Sequence, residues 1–273
     1  MNATTLDPAA VPQPNLGRPR LLGLRNLIRK DTAEWLHSKR PWIVLGVTAS
    51  VFVLAAANSR ITEWAVRTFP ADAADGPAKV LSVQPLDNLL FAIGTQFIVL
   101  AAIFATMSLL ISERDSGTLA WTISKPVSRT SVLLSKWLTS TLALWAAAVV
   151  IPIALTTVLV TVLYGLPDLT TIIVLTVALI AVPAFYVAVA LTSAAFVPSQ
   201  AAVGAIGLAV LLAPQIVGGL VPAITPFFPG SIFEWAVTIA TGGSASLVTP
   251  IAWSVGMVAL FVIARKRLNT IDL

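Results

Sequence analysis

The residues of this chain best suited to recognising a partner stand together in one island, ERDSGTLAWTISKPVSRTSVLLSK, from Glu113 to Lys136. Glu113, Arg114 and Asp115 place three charges directly after an apolar run, which stops a membrane span at a water interface. Gly117 permits a sharp turn, and Thr118 can open a short helix behind it. On that helix Leu119, Thr122 and Ile123 share one face, a stub that can rest on a helix bundle or enter a groove on another protein. Pro126 ends the stub, Ser128 is placed as a cap, and Val132, Leu133 and Leu134 lead into the next span. Two readings of the charges stay open here: Glu113 and Arg129 contact a partner, or they pair with each other inside the loop.

Other chemistries lack their residues. The chain has no cysteine and one histidine, His37, so neither a thiolate nor a multi-histidine metal centre can form. No glycine is followed by lysine, which excludes a Walker A phosphate loop. Asp72 and Asp75 lie in a polar loop and read as solvated acids. The apolar spans set out below contain no Asp, Glu, Lys, Arg or His, which argues against ion coupling and against an intramembrane hydrolase. Thr156, Thr157 and Thr161 are expected to bond back to their own helix carbonyls. No catalytic residue, no metal site and no cofactor bound by this chain are expected. Energy for any uphill movement then arrives from another chain.

The elements that must position the island follow from composition. Of 273 residues, 57% are hydrophobic and 11% charged, and the mean hydropathy is +0.91. A soluble domain carries about 25% charged residues, so the expected class is an all-α polytopic membrane protein. Residues 1–20 hold four prolines and few large apolar side chains, and read as a disordered tail. Residues 21–40 read as an amphipathic helix lying on the membrane, with Leu24, Ile28 and Trp35 on its apolar side and Arg29 and Lys30 toward acidic headgroups. Residues 41–273 form the transmembrane domain. Its six expected spans are 41–57, 88–112, 137–164, 169–197, 201–221 and 248–264, with kinks at Pro152 and Pro214 and with Pro183 inside the fourth. Residues 58–87 read as a polar loop in which Ile61, Trp64 and Val66 can form a short surface helix, Ser231 as the cap of a short helix, and Gly242-Gly243 as its end. Small residues Ala201, Gly204, Ala205 and Gly207 allow the fifth span to approach a neighbour closely.

Six spans put both termini on one side. Placing them in the cytoplasm puts 14 of the 17 Lys and Arg inside, leaving Arg60, Arg67 and Lys79 outside. That asymmetry explains the net charge of +5 as membrane orientation rather than nucleic-acid binding.

The residues Glu113-x-x-x-Gly117-Thr118-Leu119, then Ser124-Lys125-Pro126-Val127-Ser128-Arg129 and Lys136, resemble the cytoplasmic loop of the ABC-2 type transporter permeases. That family reads approximately E-x-x-x-G-T-L, L-S-x-P-[VI]-S-R and a later G-K. Ile123 stands where Leu is commoner, and Ser135 where Gly often precedes Lys136. The basic helix ending Ser38-Lys39-Arg40-Pro41-Trp42 and the six-span layout extend the likeness. The resemblance implies that loop 113–136 is a coupling helix docking into a separate ABC ATPase subunit, which holds the ATP and Mg. It implies a second permease copy or homologue beside this chain, and membrane lipids around it. The spans, rich in Ala, Val, Leu, Thr and Phe, suit export of a hydrophobic or amphipathic substrate. Two alternatives remain: a permease doing mechanical or assembly work on an extracytoplasmic partner, and an ion-coupled transporter acting without an ATPase.

Overall fold

The computed structural model describes residues 21–68, 87–118, 122, 127–165, 168–228, 231–240 and 242–270. Among these residues the regular structure is helical, with no strand. The tail at 1–20, the loop acids Asp72 and Asp75, and Leu119, Ile123 and Pro126 of the expected coupling stub lie outside the described residues.

The helices are α1 (Leu24–His37), α2 (Arg40–Thr68), α3 (Asp87–Thr106), α4 (Ile111–Asp115), α5 (Arg129–Trp145), α6 (Ile151–Tyr164), α7 (Leu169–Ala178), α8 (Ala181–Phe196), α9 (Gln200–Leu220), α10 (Ser231–Ala240) and α11 (Val248–Thr270). Six stretches are long and apolar enough to cross a membrane: Arg40–Ala57, Gln96–Asp115, Arg129–Leu163, Leu169–Phe196, Gln200–Gly218 and Val248–Leu268.

Several boundaries differ from the sequence reading, each for a local reason. The first apolar stretch, Arg40–Ala57, matches the expected span, but helix α2 runs on unbroken for 29 residues, because neither Gly nor Pro occurs between Gly46 and Pro70. At 1.5 Å per residue it is about 44 Å long, more than the ~30 Å apolar core of a bilayer. Helix α11 likewise continues through Arg265, Lys266 and Arg267 to Thr270, since cations near a helix C-terminus favour the helix rather than end it. The second span is interrupted between α3 and α4, where the Thr106 hydroxyl donates to Ala102 O at 2.5 Å, a bond of the kind that bends helices. The Ser231 hydroxyl donates back to Phe228 O at 2.7 Å and Pro226 O at 3.0 Å, instead of accepting as a cap.

Prolines account for the other irregularities. Pro152 has no N–H for Ala148 O, and the turn Ala146–Val150 widens to a π-helix between α5 and α6. Pro183 stands in the same relation to Leu179, and there the fourth span breaks into α7 and α8. Pro214 remains inside α9. Ser128 caps α5 by accepting from Ser131 N at 3.0 Å, as its position predicts, and Gly242 follows α10 with φ of +76°.

Helix α8 is the centre of the bundle. From Val182 to Ala195 every side chain except Phe185 is buried, and α3, α5, α9 and α11 pack around it. Its alanines keep it thin enough to be surrounded. Gly207 lets α9 sit directly on α3: a Cβ there would stand 2.9 Å from Ile103 Cγ2. Outside, Ile43, Leu54, Val158, Val162, Ile173, Ile216 and Val255 are exposed, an apolar surface of the kind lipid tails cover.

Candidate functional site

Helix α1 lies along α5. Spacing of four puts Leu27, Asp31 and Trp35 on one stripe, and all three are buried. The stripe therefore faces protein. Trp35 Nε1 donates to Ser140 Oγ at 3.1 Å, which corrects the expectation that Trp35 anchors the helix in the membrane interface. Leu24 and Ile28 are half-buried and Arg29 is exposed.

A carboxylate in the middle of a buried stripe needs partners. Asp31 Oδ2 accepts from Ser135 Oγ at 2.7 Å, and Lys136 Nζ lies 3.8 Å from Asp31 Oδ1. The same ammonium group is 2.9 Å from Glu113 Oε1, and Lys30 Nζ reaches that oxygen at 2.8 Å. Two acids and two ammonium groups from α1, α4 and α5 thus share one network. Lys136, Asp31 and Glu113 are 5%, 6% and 9% exposed at the side chain, whereas Lys30 is 47% exposed. Away from water each buried charge depends on the others, and withdrawal of any one leaves its partner uncompensated. Burial pushes the Asp31 carboxyl above its ordinary range, offset in part by Lys136 and the Ser135 hydrogen bond. Burial works against a charged Lys30, but the hydrogen bond and charge of Glu113 outweigh it and hold that ammonium group above its usual value. Carboxylate oxygens of Asp31, Glu34 and Glu113 lie within 4.8 Å of one another, and Lys30 and Lys136 supply the positive charge among them.

The island begins at this network. Glu113 O accepts from Ser116 Oγ at 3.3 Å and Thr118 Oγ1 at 3.2 Å, and Gly117 turns the chain with φ of +70°. Asp115, Gly117 and Thr118 are exposed. Thr122 is buried and donates to Thr118 O at 2.7 Å. Arg114 donates to Val197 O at 3.3 Å, beyond the end of α8. Arg129 donates to Leu268 O, so Glu113 pairs with Lys30 and Lys136 rather than with Arg129. The far end of the island returns to α1. Ser128 N donates to Leu22 O at 3.3 Å, and Gly23, with φ of +79°, passes so close to Val127 that a Cβ would stand 2.9 Å from its Cγ2.

Asp31, Ser135 and Ser140 did not stand out in the sequence as site residues. The available signal was an acid four residues after Leu27 and four before Trp35, on the same helical stripe. Lys136 was legible as part of the loop motif, but not as a buried charge at the loop's origin.

The sequence model of the ABC-2 family transporter proteins matches residues 25–264, from within α1 to the end of the last apolar span. No curated protein matches the chain. With six helices able to span a membrane and a family match over most of its length, this chain belongs to the ABC-2 transporter family and is the membrane-spanning type of subunit.

Proposed function

We propose that this chain is the permease subunit of an ATP-driven exporter of hydrophobic or amphipathic molecules, coupled through residues 113–136 to a separate ABC ATPase. Two copies, or this chain and a homologue, form the pathway, with the termini in the cytoplasm where the basic residues cluster. The observation that carries the coupling reading is the network at Glu113. It joins the last residues before the loop to α1 and to the first turns of α5, so a push on the exposed Asp115-Gly117-Thr118 segment reaches three helices at once. Leu119, Ile123 and Pro126 complete the docking surface in this reading. Individual charges then divide their work: Glu113 and Arg129 hold the lever to the bundle, and Asp115 faces the partner.

Copurification with its ATPase tests the proposal. The expected result is ATP hydrolysis that changes when this chain is present, and loss of that change on deletion of Gly117 to Ile123. Undiminished coupling after the deletion overturns the loop assignment, and transport driven by a proton or sodium gradient without ATP overturns the ATPase reading itself.

A further inference from the structure

Two arginines stand at the ends of the island. Arg114 lies in α4 and Arg129 opens α5, and both are half-buried. Arg114 Nη2 donates to Val197 O at 3.3 Å, and Arg129 Nη1 donates to Leu268 O. Val197 is where the chain leaves α8 in extended backbone, and Leu268 stands in the last turn of α11, which closes at Thr270. Carbonyls at a helix C-terminus lack a partner within the helix and carry the negative end of its dipole. A guanidinium suits them, because it stays charged and offers several N–H groups in one plane. Each arginine therefore caps a helix that belongs to a distant part of the chain.

The two capped ends are also fastened to each other. Arg267 of α11 stands over the ring of Phe196, the last residue of α8, 5.5 Å from its centroid, within reach of a cation–π contact. One turn earlier on α8, Thr192 Oγ1 donates across to Leu260 O of α11 at 3.1 Å. Thr192 and Ser193 on α8 are buried, as are Ala264 and Leu268 on α11. The arginines thus hold a joined pair of helix ends. The Glu113 network reaches other elements, through Lys30 and Asp31 on α1 and Lys136 on α5. A displacement of the island against α8 and α11 breaks two charge-assisted hydrogen bonds unless that pair moves with it.

We propose that Arg114 and Arg129 are positioning residues that clamp the joined ends of α8 and α11, so that these two helices follow the island as a unit when the ATPase moves it. The clamp rests on the ATPase-coupled reading of residues 113–136 and adds to it a choice of moving parts. Because α8 is the central helix, displacement of the pair repacks α3, α5 and α9 around it.

The test uses the full chain with its ATPase in nanodiscs. The chain has no cysteine, so spin labels attach only where Leu36→Cys on α1 and Val262→Cys on α11 introduce one, at two exposed positions. The distance between the labels, read by double electron–electron resonance, should shift when ATP and vanadate are added. Arg114→Gln combined with Arg129→Gln should abolish that shift and cut the permease-dependent change in ATP hydrolysis about tenfold, the worth of one hydrogen bond from a charged donor. ATPase affinity should fall by much less, and Arg114→Lys with Arg129→Lys, which keep a charged donor, should restore most of the shift and of the hydrolysis change. A shift that survives the double Gln variant overturns the clamp. So does an affinity that falls in step with the hydrolysis change, since the arginines are then docking residues. If the double Gln variant does not fold, the chain with Arg114 and Arg129 intact decides: a responsive ATPase without a change in the label distance overturns the clamp, and a change that the Lys variants retain supports it. An ATPase that does not respond to the wild-type chain is a separate outcome, which overturns the coupling reading itself.

Discussion

Lys136 Nζ, two turns into α5, lies 2.9 Å from Glu113 Oε1, at the end of the second span. Twenty-two residues of chain separate the two. The pair therefore holds both ends of the charged island against the bundle, and its burial makes it depend on its neighbours.

Lys136→Met leaves Glu113 and Asp31 buried with only the half-exposed Lys30 between them. Breaking a buried pair from one side costs about 3–5 kcal/mol. A large fall in the unfolding midpoint of the detergent-purified chain is expected, and Glu113→Gln combined with Lys136→Met should cost less than the sum of the single changes. Additive effects would show that the two side chains do not interact.

Lys30→Met removes the exposed member of the same network. Half-exposed pairs are screened by water, and a loss of no more than about 1 kcal/mol is expected. A loss equal to that of Lys136→Met would contradict the burial difference between them.

Asp31 gives the network a pH dependence of definite sign. Its carboxyl is held above the unfolded value, chiefly by burial, so the neutral form favours the folded state. Its contribution is full below the ordinary aspartate pKa and declines as pH rises through the raised folded value. In melts recorded from acid toward neutral pH, Asp31→Asn should gain on the wild type as pH rises across that window. A difference that stays flat, or reverses, would show that Asp31 is ionised at no cost.

Gly207 and Gly204 test the contact between α9 and α3. Gly207→Ala places a methyl 2.9 Å from Ile103 Cγ2, whereas Gly204→Ala meets only Met107 Sδ at 3.4 Å. Overpacking of this kind costs about 1–3 kcal/mol. Gly207→Ala should be clearly destabilised and Gly204→Ala nearly neutral, because a thioether end moves aside more easily than a β-branched side chain.

Gly23→Ala meets two obstacles, a left-handed φ of +79° and contact with Val127. Pairing it with Val127→Ala removes the contact but not the backbone strain, so partial recovery of thermal stability is expected. Full recovery would show that only the contact matters.

Much of this protein was legible in the order of its residues. Length and apolarity call for six membrane helices, Ser128 marks the start of α5, and proline chemistry places the irregularities beside Pro152 and Pro183. Glu113, Gly117 and Arg129 carry the family's loop pattern. These features are local or compositional, and each follows from a few neighbouring residues. Hydropathy marks where the apolar stretches end, but not that α2 runs on to Thr68 and α11 to Thr270, since polar residues without Gly or Pro at those ends continue a helix as readily as apolar ones.

Tertiary structure decided what the charges do. Asp31 and Ser135 are 104 residues apart, and Lys30 and Glu113 are 83 apart. Hydropathy counts both acids as water-facing, since it prices each residue alone. Only packing of α1 on α5 removes the water and substitutes the partners. The unpartnered Trp235 Nε1 and Thr141 Oγ1 have the same origin: each belongs to an ordinary residue of an apolar helix, and only tertiary packing buries it.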